Sequence, residues 1–380
     1  MNAARPLTLF VDAHCLDKGY HGTHTFLRAL YRELLEHYPE LDIYFGTYDP
    51  VLVRAIFPEV NSDRILPYRN VRPSFLRFLF DIPSYIKRYR FDFTHFQYLG
   101  VPWRTASRSI VTVHDVLYED YPGDFPPLYR LARTILFRSS LRRADVKTTV
   151  SAYSRDRIAW HYGVPEAEIR IVPNAVENAH FTREEAVARI RRGFGLENFL
   201  LCVSRVEPRK NQLLLLNAWR ALGLHRRGIP LVFIGTESIP VPGLRERLGS
   251  LPPEERSWVR RLEHVAPEDL AAFYGACKVF VYPSRAEGFG IPPLEAALCG
   301  APVLCSRATA MEGFRFFEPY TFDPADPTAL KDKLQYMLRY PPGEDFLRGV
   351  SEQVGQRYSR QESARTFYSI IKENMKTWKN

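Results

Sequence analysis

The sequence is poor in sulfur and contains no long apolar run. Its five cysteines (Cys15, Cys202, Cys277, Cys299 and Cys305) include no CxxC pair and mostly lie inside apolar segments. That argues against a disulfide framework or a cysteine zinc site and points to a reducing compartment. No stretch approaches the roughly 20 apolar residues that cross a bilayer. The start of the chain passes from a short polar stretch into Leu7–Val11 with no extended apolar region or small-residue cleavage site. The expectation is a cytoplasmic protein, at most peripheral at the inner face of the cytoplasmic membrane. Tandem repeats and low-complexity tracts are also missing.

What is present is enough for two cores. The chain has 380 residues, 46% of them apolar, which excludes global disorder and suits two domains. The formal charge of +9 predicts attraction to an anion, be it nucleic acid, a nucleotide diphosphate or an acidic lipid surface.

Short β-branched and aromatic runs alternate with helical periodicity throughout, the pattern of parallel sheets with crossover helices. Strands are expected at Leu7–Val11, Ile43–Thr47, Phe93–Phe96, Ser109–Val113, Val146–Val150 and Arg170–Val172. A second series is expected at Phe199–Ser204, Leu231–Gly235, Arg261–Val265, Val279–Pro283 and Pro302–Ser306. Between them the polar stretch Asn174–Asn198, with a short helix at Arg183–Arg192, marks a domain boundary. Two doubly wound α/β domains facing across a cleft follow, because such sheets bind ligands beyond their carboxyl-terminal strand ends. Arg360–Asn380 reads as an amphipathic helix, with Phe367, Ile370, Ile371 and Met375 at helical spacing.

The strongest chemical signal is Val279–Val303, VFVYPSRAEGFGIPPLEAALCGAPV. A strand, a glycine turn (Glu287-Gly288-Phe289-Gly290) and a helix starting near Pro292 make an anion site: glycine admits close approach, and free helix N–H groups favour phosphate. Glu287 and Glu295 flank the turn. Each alone is equally consistent with a bland role, Glu295 complementing the helix dipole and Glu287 bonding turn N–H groups. Their joint placement around a Gly-aromatic-Gly turn favours function.

The second signal is Ser204–Asn211, SRVEPRKN, between a strand and a helix. Arg offers a planar fork to phosphate oxygens and Lys a mobile point charge. At a strand's carboxyl end they could neutralise charge on a departing diphosphate. A solvated basic loop is the alternative.

These two motifs resemble the phosphate-binding loop and the E-x7-E motif of glycosyltransferase family 4, the retaining enzymes of GT-B fold. SIVTVHDV (Ser109–Val116), RRADVKTTVSAYSRDRI (Arg142–Ile158) and YGVPEAEIRIVPNAV (Tyr162–Val176) fall in the family's order. The YPGDFPP and LRRADVKTTVSAYS stretches are similar to the mannosyltransferase and rhamnosyltransferase branch that builds bacterial O-antigen and related polysaccharides.

The resemblance implies a donor-diphosphate role for Arg205 and Lys210, a donor-ribose role for Glu295, and sugar-hydroxyl contacts for Glu287. The backbone from Gly288 through Phe289 and Gly290 to Ile291 would hold the sugar, Val265 would border the base, and His114 would face the reacting centre. It further implies an acceptor domain at 1–180, a nucleotide-sugar domain at 195–358 and a final helix, 359–380, returning to the first domain. The donor would be GDP-mannose, a rhamnose nucleotide or a UDP-hexose, and the acceptor a growing polysaccharide or lipid-linked glycan such as a lipopolysaccharide precursor. Front-face retention needs no protein nucleophile, since the departing diphosphate helps deprotonate the acceptor. With no matching Asp-x-Asp, no metal and no other cofactor is expected, Arg and Lys replacing a divalent cation.

The glycine-rich loop of relatives here reads Gly19-Tyr20-His21-Gly22-Thr23-His24, with Gly22 the choice for close approach to the donor phosphate. Lys210→Ala and Glu287→Ala are expected to leave the fold intact, both lying at a solvated cleft. Arg72–Phe91, RPSFLRFLFDIPSYIKRYRF, mixes aromatics with basic residues and offers a peripheral contact with anionic membrane, although Pro83 interrupts it; a first-domain helix with core aromatics is the bland alternative. The rivals are a sugar-nucleotide 2-epimerase of the same fold, which lacks this pair of motifs, and non-catalytic nucleotide-sugar or nucleic-acid binding. No zinc-finger spacing, RNP-type stretch or basic-region heptad supports nucleic acid.

Overall fold

A computed structural model describes residues 5–17, 22–69, 73–177 and 181–376. The chain divides into two compact units, Met1–Ala175 with Arg360–Asn380, and Val176–Ser359.

The first unit holds seven parallel strands: β1 (Leu7–Asp12), β2 (Leu41–Thr47), β3 (Ile65–Pro67), β4 (Phe93–Gln97), β5 (Arg108–Thr112), β6 (Val146–Thr149) and β7 (Ile169–Ile171). Their order is β3-β2-β1-β4-β5-β6-β7, so the winding reverses between β1 and β4, where Leu9 pairs with Phe93. Alternation along the strands sends Phe10, Phe96 and Val111 to one face and His95 and Thr112 to the other. Helix α1 (Gly22–His37) covers the second face, where Tyr31 meets Phe45, His95 and Phe367. Phe367 belongs to the C-terminal helix, Arg360–Lys376, which packs against α1 and so returns to this unit. The first face is covered by α2 (Leu76–Leu79), α3 (Asp81–Tyr89) and α4 (Pro127–Arg143), through Phe78, Ile82, Ile86, Phe137 and Leu141.

The basic aromatic segment 72–91, open to an interfacial or a core reading from sequence, holds two helices broken at Phe80. Pro83 does not interrupt it: it is the third residue of α3, where a missing N–H costs no helix bond. Arg77, Phe78, Ile82, Ile86 and Phe91 are buried, while Phe75, Phe80, Lys87, Arg88 and Arg90 are exposed. Among the described residues no helix is long and apolar enough to cross a membrane.

The second unit holds β8 (Leu200–Val203), β9 (Leu231–Ile234), β10 (Val259–Leu262), β11 (Val279–Tyr282), β12 (Val303–Ser306) and β13 (Thr321–Phe322), all parallel, in the order β10-β9-β8-β11-β12-β13. The reversal here lies between β8 and β11, with Leu200 beside Val279. β10 starts two residues before the expected strand, so Val265 lies in the loop beyond it. Helix α5 (Arg183–Phe194) starts at a Thr182–Glu185 capping box and ends at Gly195, φ 64°. Its Ala186 and Ile190 are buried, and it packs on α6 (Pro267–Ala276), with Phe194 and Phe273 ring centroids 4.7 Å apart. The short helix expected within Asn174–Asn198 is thus a packed element of the second unit. Helix α7 (Ile291–Leu298) follows β11 through the glycine turn.

Candidate active site

Lys210 follows β8 and Glu287 follows β11, so adjacent strands at the winding reversal deliver both to one place, where open α/β sheets take ligands. After β8 the chain makes a 3-10 turn over Pro208–Lys210 and leaves it through Asn211 in the left-handed region, φ 57°. That turn aims Arg209 and Lys210 at the same carboxylate. Glu287 Oε1 accepts from Lys210 Nζ at 2.5 Å, Tyr282 Oη at 2.8 Å and Ser284 Oγ at 2.7 Å. Glu287 Oε2 accepts from Arg209 Nη1 at 3.0 Å, and Arg209 also reaches Glu207 at 2.6 Å.

Thr309 clamps the turn by backbone. Its hydroxyl accepts from the Glu287 N–H at 2.9 Å and donates to the Glu287 carbonyl at 3.1 Å.

Lys210, Glu287 and Glu207 expose 7%, 7% and 5% of their surface, which corrects the expectation of solvated side chains. Burial pushes the Glu287 carboxyl up, but the Lys210 and Arg209 charges and the hydrogen bonds outweigh it and hold it at about 2. Burial draws the Lys210 ammonium down, against the attraction of Glu287. Two cations and two carboxylates leave the cluster formally neutral. Arg205 stands apart: it is exposed at the end of β8 and has no ion-pair partner among the described residues.

The glycine turn enters α7 at Gly290, φ 99°, where an added Cβ would come 3.0 Å from Met311 and 3.1 Å from Phe314. Pro292 and Pro293 occupy the second and third positions of α7 and carry no N–H, so fewer first-turn amides can face an anion than the motif suggested. Ahead of these prolines, Gly288, Phe289, Gly290 and Ile291 each carry a backbone N–H. Glu295 is the fifth residue of α7, beyond the first turn, and accepts from Tyr274 Oη at 3.0 Å.

In the first unit the order reverses between β1 and β4, and His114 lies just past β5, the strand on the other side of β4. It is buried, its Nε2 2.7 Å from Gln97 Oε1 and its ring edge-on to Phe26 at 5.0 Å. Gln97 also bonds His95, which lies 2.6 Å from Tyr31 Oη and 2.7 Å from Thr112 Oγ1. Burial draws His95 down to about 3, so this ring is neutral at ordinary pH. Gly22, Thr23 and His24 are already in α1 rather than in a loop, and residues 18–21 lie outside the described residues. A Cβ placed on Gly22 would meet nothing within 4 Å, so the protein's own packing does not require glycine there. At the end of β1, Asp12 is fully buried and accepts from Arg77 Nε at 3.1 Å and Tyr68 Oη at 2.8 Å.

Arg209, Glu207, Tyr282, Ser284 and Thr309 join the site without being singled out by the sequence motifs. Arg209, Glu207, Tyr282 and Ser284 sit inside the two motifs, where a polar side chain at a strand end is a signal in itself. Thr309 lies 22 residues from Glu287 and gives no sequence sign of the clamp.

The two halves match two family models, Glycosyltransferase Family 4 over residues 20–180 and Glycosyl transferases group 1 over residues 197–340. The chain belongs to glycosyltransferase family 4. Among its relatives is the O-antigen chain mannosyltransferase B of Escherichia coli, 33% identical over 54% of this chain and 54% of that one. Another is a GDP-mannose-dependent alpha-(1-6)-phosphatidylinositol monomannoside mannosyltransferase of Mycolicibacterium smegmatis, 35% identical over 45% and 47%. The matches thus span about half the length of these relatives. The sucrose-phosphate synthase of Thermosynechococcus elongatus superposes with a TM-score of 0.76 over 98% of this chain and 100% of that one, at 18% identity. Each unit is a Rossmann-like doubly wound domain, and the fold of this family 4 chain is GT-B.

Proposed function

We propose that the chain is a retaining, metal-independent glycosyltransferase that moves a hexose or deoxyhexose, mannose ahead of rhamnose, from a nucleoside diphosphate donor to a growing polysaccharide or lipid-linked glycan. The observation that carries the reading is the Lys210–Glu287 pair at the winding reversal of the second sheet, with Arg205 exposed just past β8 and without an ion-pair partner among the described residues. Because the buried cluster is already balanced, an incoming diphosphate needs a further cation, and in this reading Arg205 supplies it. As the bond from the anomeric carbon to the phosphate oxygen breaks, charge collects on the diphosphate, where Arg205 and Lys210 stabilise it. The acceptor hydroxyl forms the new bond and gives its proton to the departing phosphate, so no side chain acts as nucleophile. Glu287, held by four donors, is a fixed acceptor for sugar hydroxyls; Glu295 takes the ribose, the Gly288–Ile291 backbone the sugar, and Val265 the edge of the base. His114 and Gly22 are the first unit's contribution to sugar and phosphate. Mannose leads because both relatives named above are mannosyltransferases, one of them GDP-mannose-dependent.

The test is a thermal-shift panel with GDP, UDP, dTDP, ADP and CDP, followed by transfer from the sugar nucleotide of whichever base responds. Ligand at a hundred times its dissociation constant stabilises by about 2.7 kcal/mol. A response to GDP with mannose transfer, both weakened in Arg205→Ala, supports the reading. Response to none of the five sinks it.

A further inference from the structure

The first unit carries an apolar stripe that its fold does not use. Helix α4 turns Phe137, Ser140 and Leu141 inward. Its outer side carries Leu128, Leu131 and Ile135, exposed by 78%, 59% and 59%. These three follow the i, i+3, i+7 spacing of a single helix face, and Arg138 and Arg142 continue the same face at i+10 and i+14. The stripe is thus apolar over roughly its first 10 Å and basic over roughly the next 10 Å. Helix α4 has five arginines and no aspartate or glutamate. Neither Arg138 nor Arg142 has an ion-pair partner among the described residues. A folded chain does not normally leave three branched aliphatics in a row on the water side of a helix.

We propose that α4 seats this stripe in the headgroup region of an anionic bilayer, with Leu128, Leu131 and Ile135 entering the acyl boundary and Arg138 and Arg142 on lipid phosphates. Charge decides the occupant. A second copy docking through the same face would set arginines against arginines with no carboxylate in the helix to offset them. A polynucleotide would use the arginines but leave the aliphatics in water. An anionic lipid surface satisfies both halves of the stripe. The surface differs from the aromatic segment at 72–91, whose Arg77 and Phe78 are spent inside the fold. It depends on no assignment of donor or acceptor, so its test needs neither.

The experiment is co-sedimentation of the full chain with vesicles of equimolar phosphatidylglycerol and phosphatidylcholine, and with phosphatidylcholine alone. The chain should bind the anionic vesicles and only weakly the neutral ones. Leu131→Ser with Ile135→Ser, and separately Arg138→Glu with Arg142→Glu, should each lower the partition coefficient at least about tenfold while leaving the melting temperature unchanged. Phe75→Ser with Phe80→Ser should keep wild-type binding. The proposal falls if the wild-type chain does not bind, if both α4 variants bind as well as the wild type, or if only the Phe75/Phe80 variant loses binding. It falls equally if the α4 variants abolish self-association in solution and leave vesicle binding unmoved.

Discussion

Lys210 Nζ lies 2.5 Å from Glu287 Oε1, and both side chains are more than nine-tenths buried, although 77 residues separate them in sequence. The pair joins the ends of two neighbouring strands, so it is structural as well as chemical. Lys210→Ala leaves Glu287 buried with Arg209 as its one remaining cation. The variant should lose about 3 kcal/mol, the low end for a buried pair because Arg209 remains, in urea denaturation and lower transfer by about a hundredfold or more. Measuring both separates the roles. A variant with full activity would remove Lys210 from the chemistry, and one with unchanged stability would show that the buried pair is neutral to folding.

The same carboxylate sets a pH dependence. The ordinary Glu287 value of 4.5 is held down to about 2 in the folded state. A depressed folded value stabilises the protein at pH above the unfolded value and loses that contribution as pH falls through the folded one. The contribution is about 3 kcal/mol, complete above roughly pH 5 and fading towards about pH 2. Glu287→Gln removes it. The stability gap between wild type and this variant should therefore narrow between about pH 5 and about pH 2. A gap that stays constant over this range would mean that the carboxylate is not charged in the folded cluster.

The strand series and the two motifs were legible because a parallel sheet covered on both faces demands unbroken apolar runs, and because glycine and proline punctuate their ends. β3 and β13 were not, since runs of three and two residues at sheet edges carry no period. The resemblance points to Arg205, but spacing by itself does not separate it from Arg209. Only the 3-10 turn at Pro208–Lys210 decides that Arg209 turns inward onto Glu287 while Arg205 stays in solvent. Burial of the motif was misjudged for a related reason: the hydroxyls of Tyr282 and Ser284 and the two cations supply enough partners to keep a carboxylate out of water.

The contrast between the two arginines makes a prediction. Arg205→Ala removes an exposed, unpaired side chain and should change stability by no more than about 0.5 kcal/mol. It should weaken nucleoside diphosphate binding at least about tenfold, the scale of one charge-assisted hydrogen bond. If Arg205 and Lys210 together do the work of a divalent cation, a chelator such as EDTA should leave transfer at its full rate. Calorimetric titration of the variant and an assay with and without chelator check the two halves; loss of activity on chelation would overturn the metal-independent reading.

Gly290 is fixed by geometry. At φ 99° a side chain is strained before any contact is considered, and its Cβ would come 3.0 Å from Met311 and 3.1 Å from Phe314. Gly290→Ala should therefore cost about 1–3 kcal/mol and shift the turn that presents Glu287. The expected readout is a lower unfolding midpoint together with a raised KM for donor. Gly22→Ala is the control, because a Cβ there meets nothing within 4 Å: its folded stability should hold, and any loss must come from the ligand's approach.

Arg77 tests what the segment at 72–91 is for. Its guanidinium is buried against Asp12 at the end of β1, where Tyr68 and His14 complete the carboxylate's partners. Burial pushes Asp12 up, but Arg77 and His14 hold it well below the usual carboxylate range. Arg77→Met keeps the length of the side chain and removes the charge, leaving a fully buried carboxylate short of its main counter-ion. The cost should be about 3–5 kcal/mol in urea denaturation. If instead Arg77 served mainly to meet lipid phosphate, the variant would keep its stability and lose affinity for anionic vesicles. Stability lost with vesicle binding retained, measured below the melting temperature of the variant, assigns Arg77 to the core of the first unit and leaves lipid contact to exposed residues.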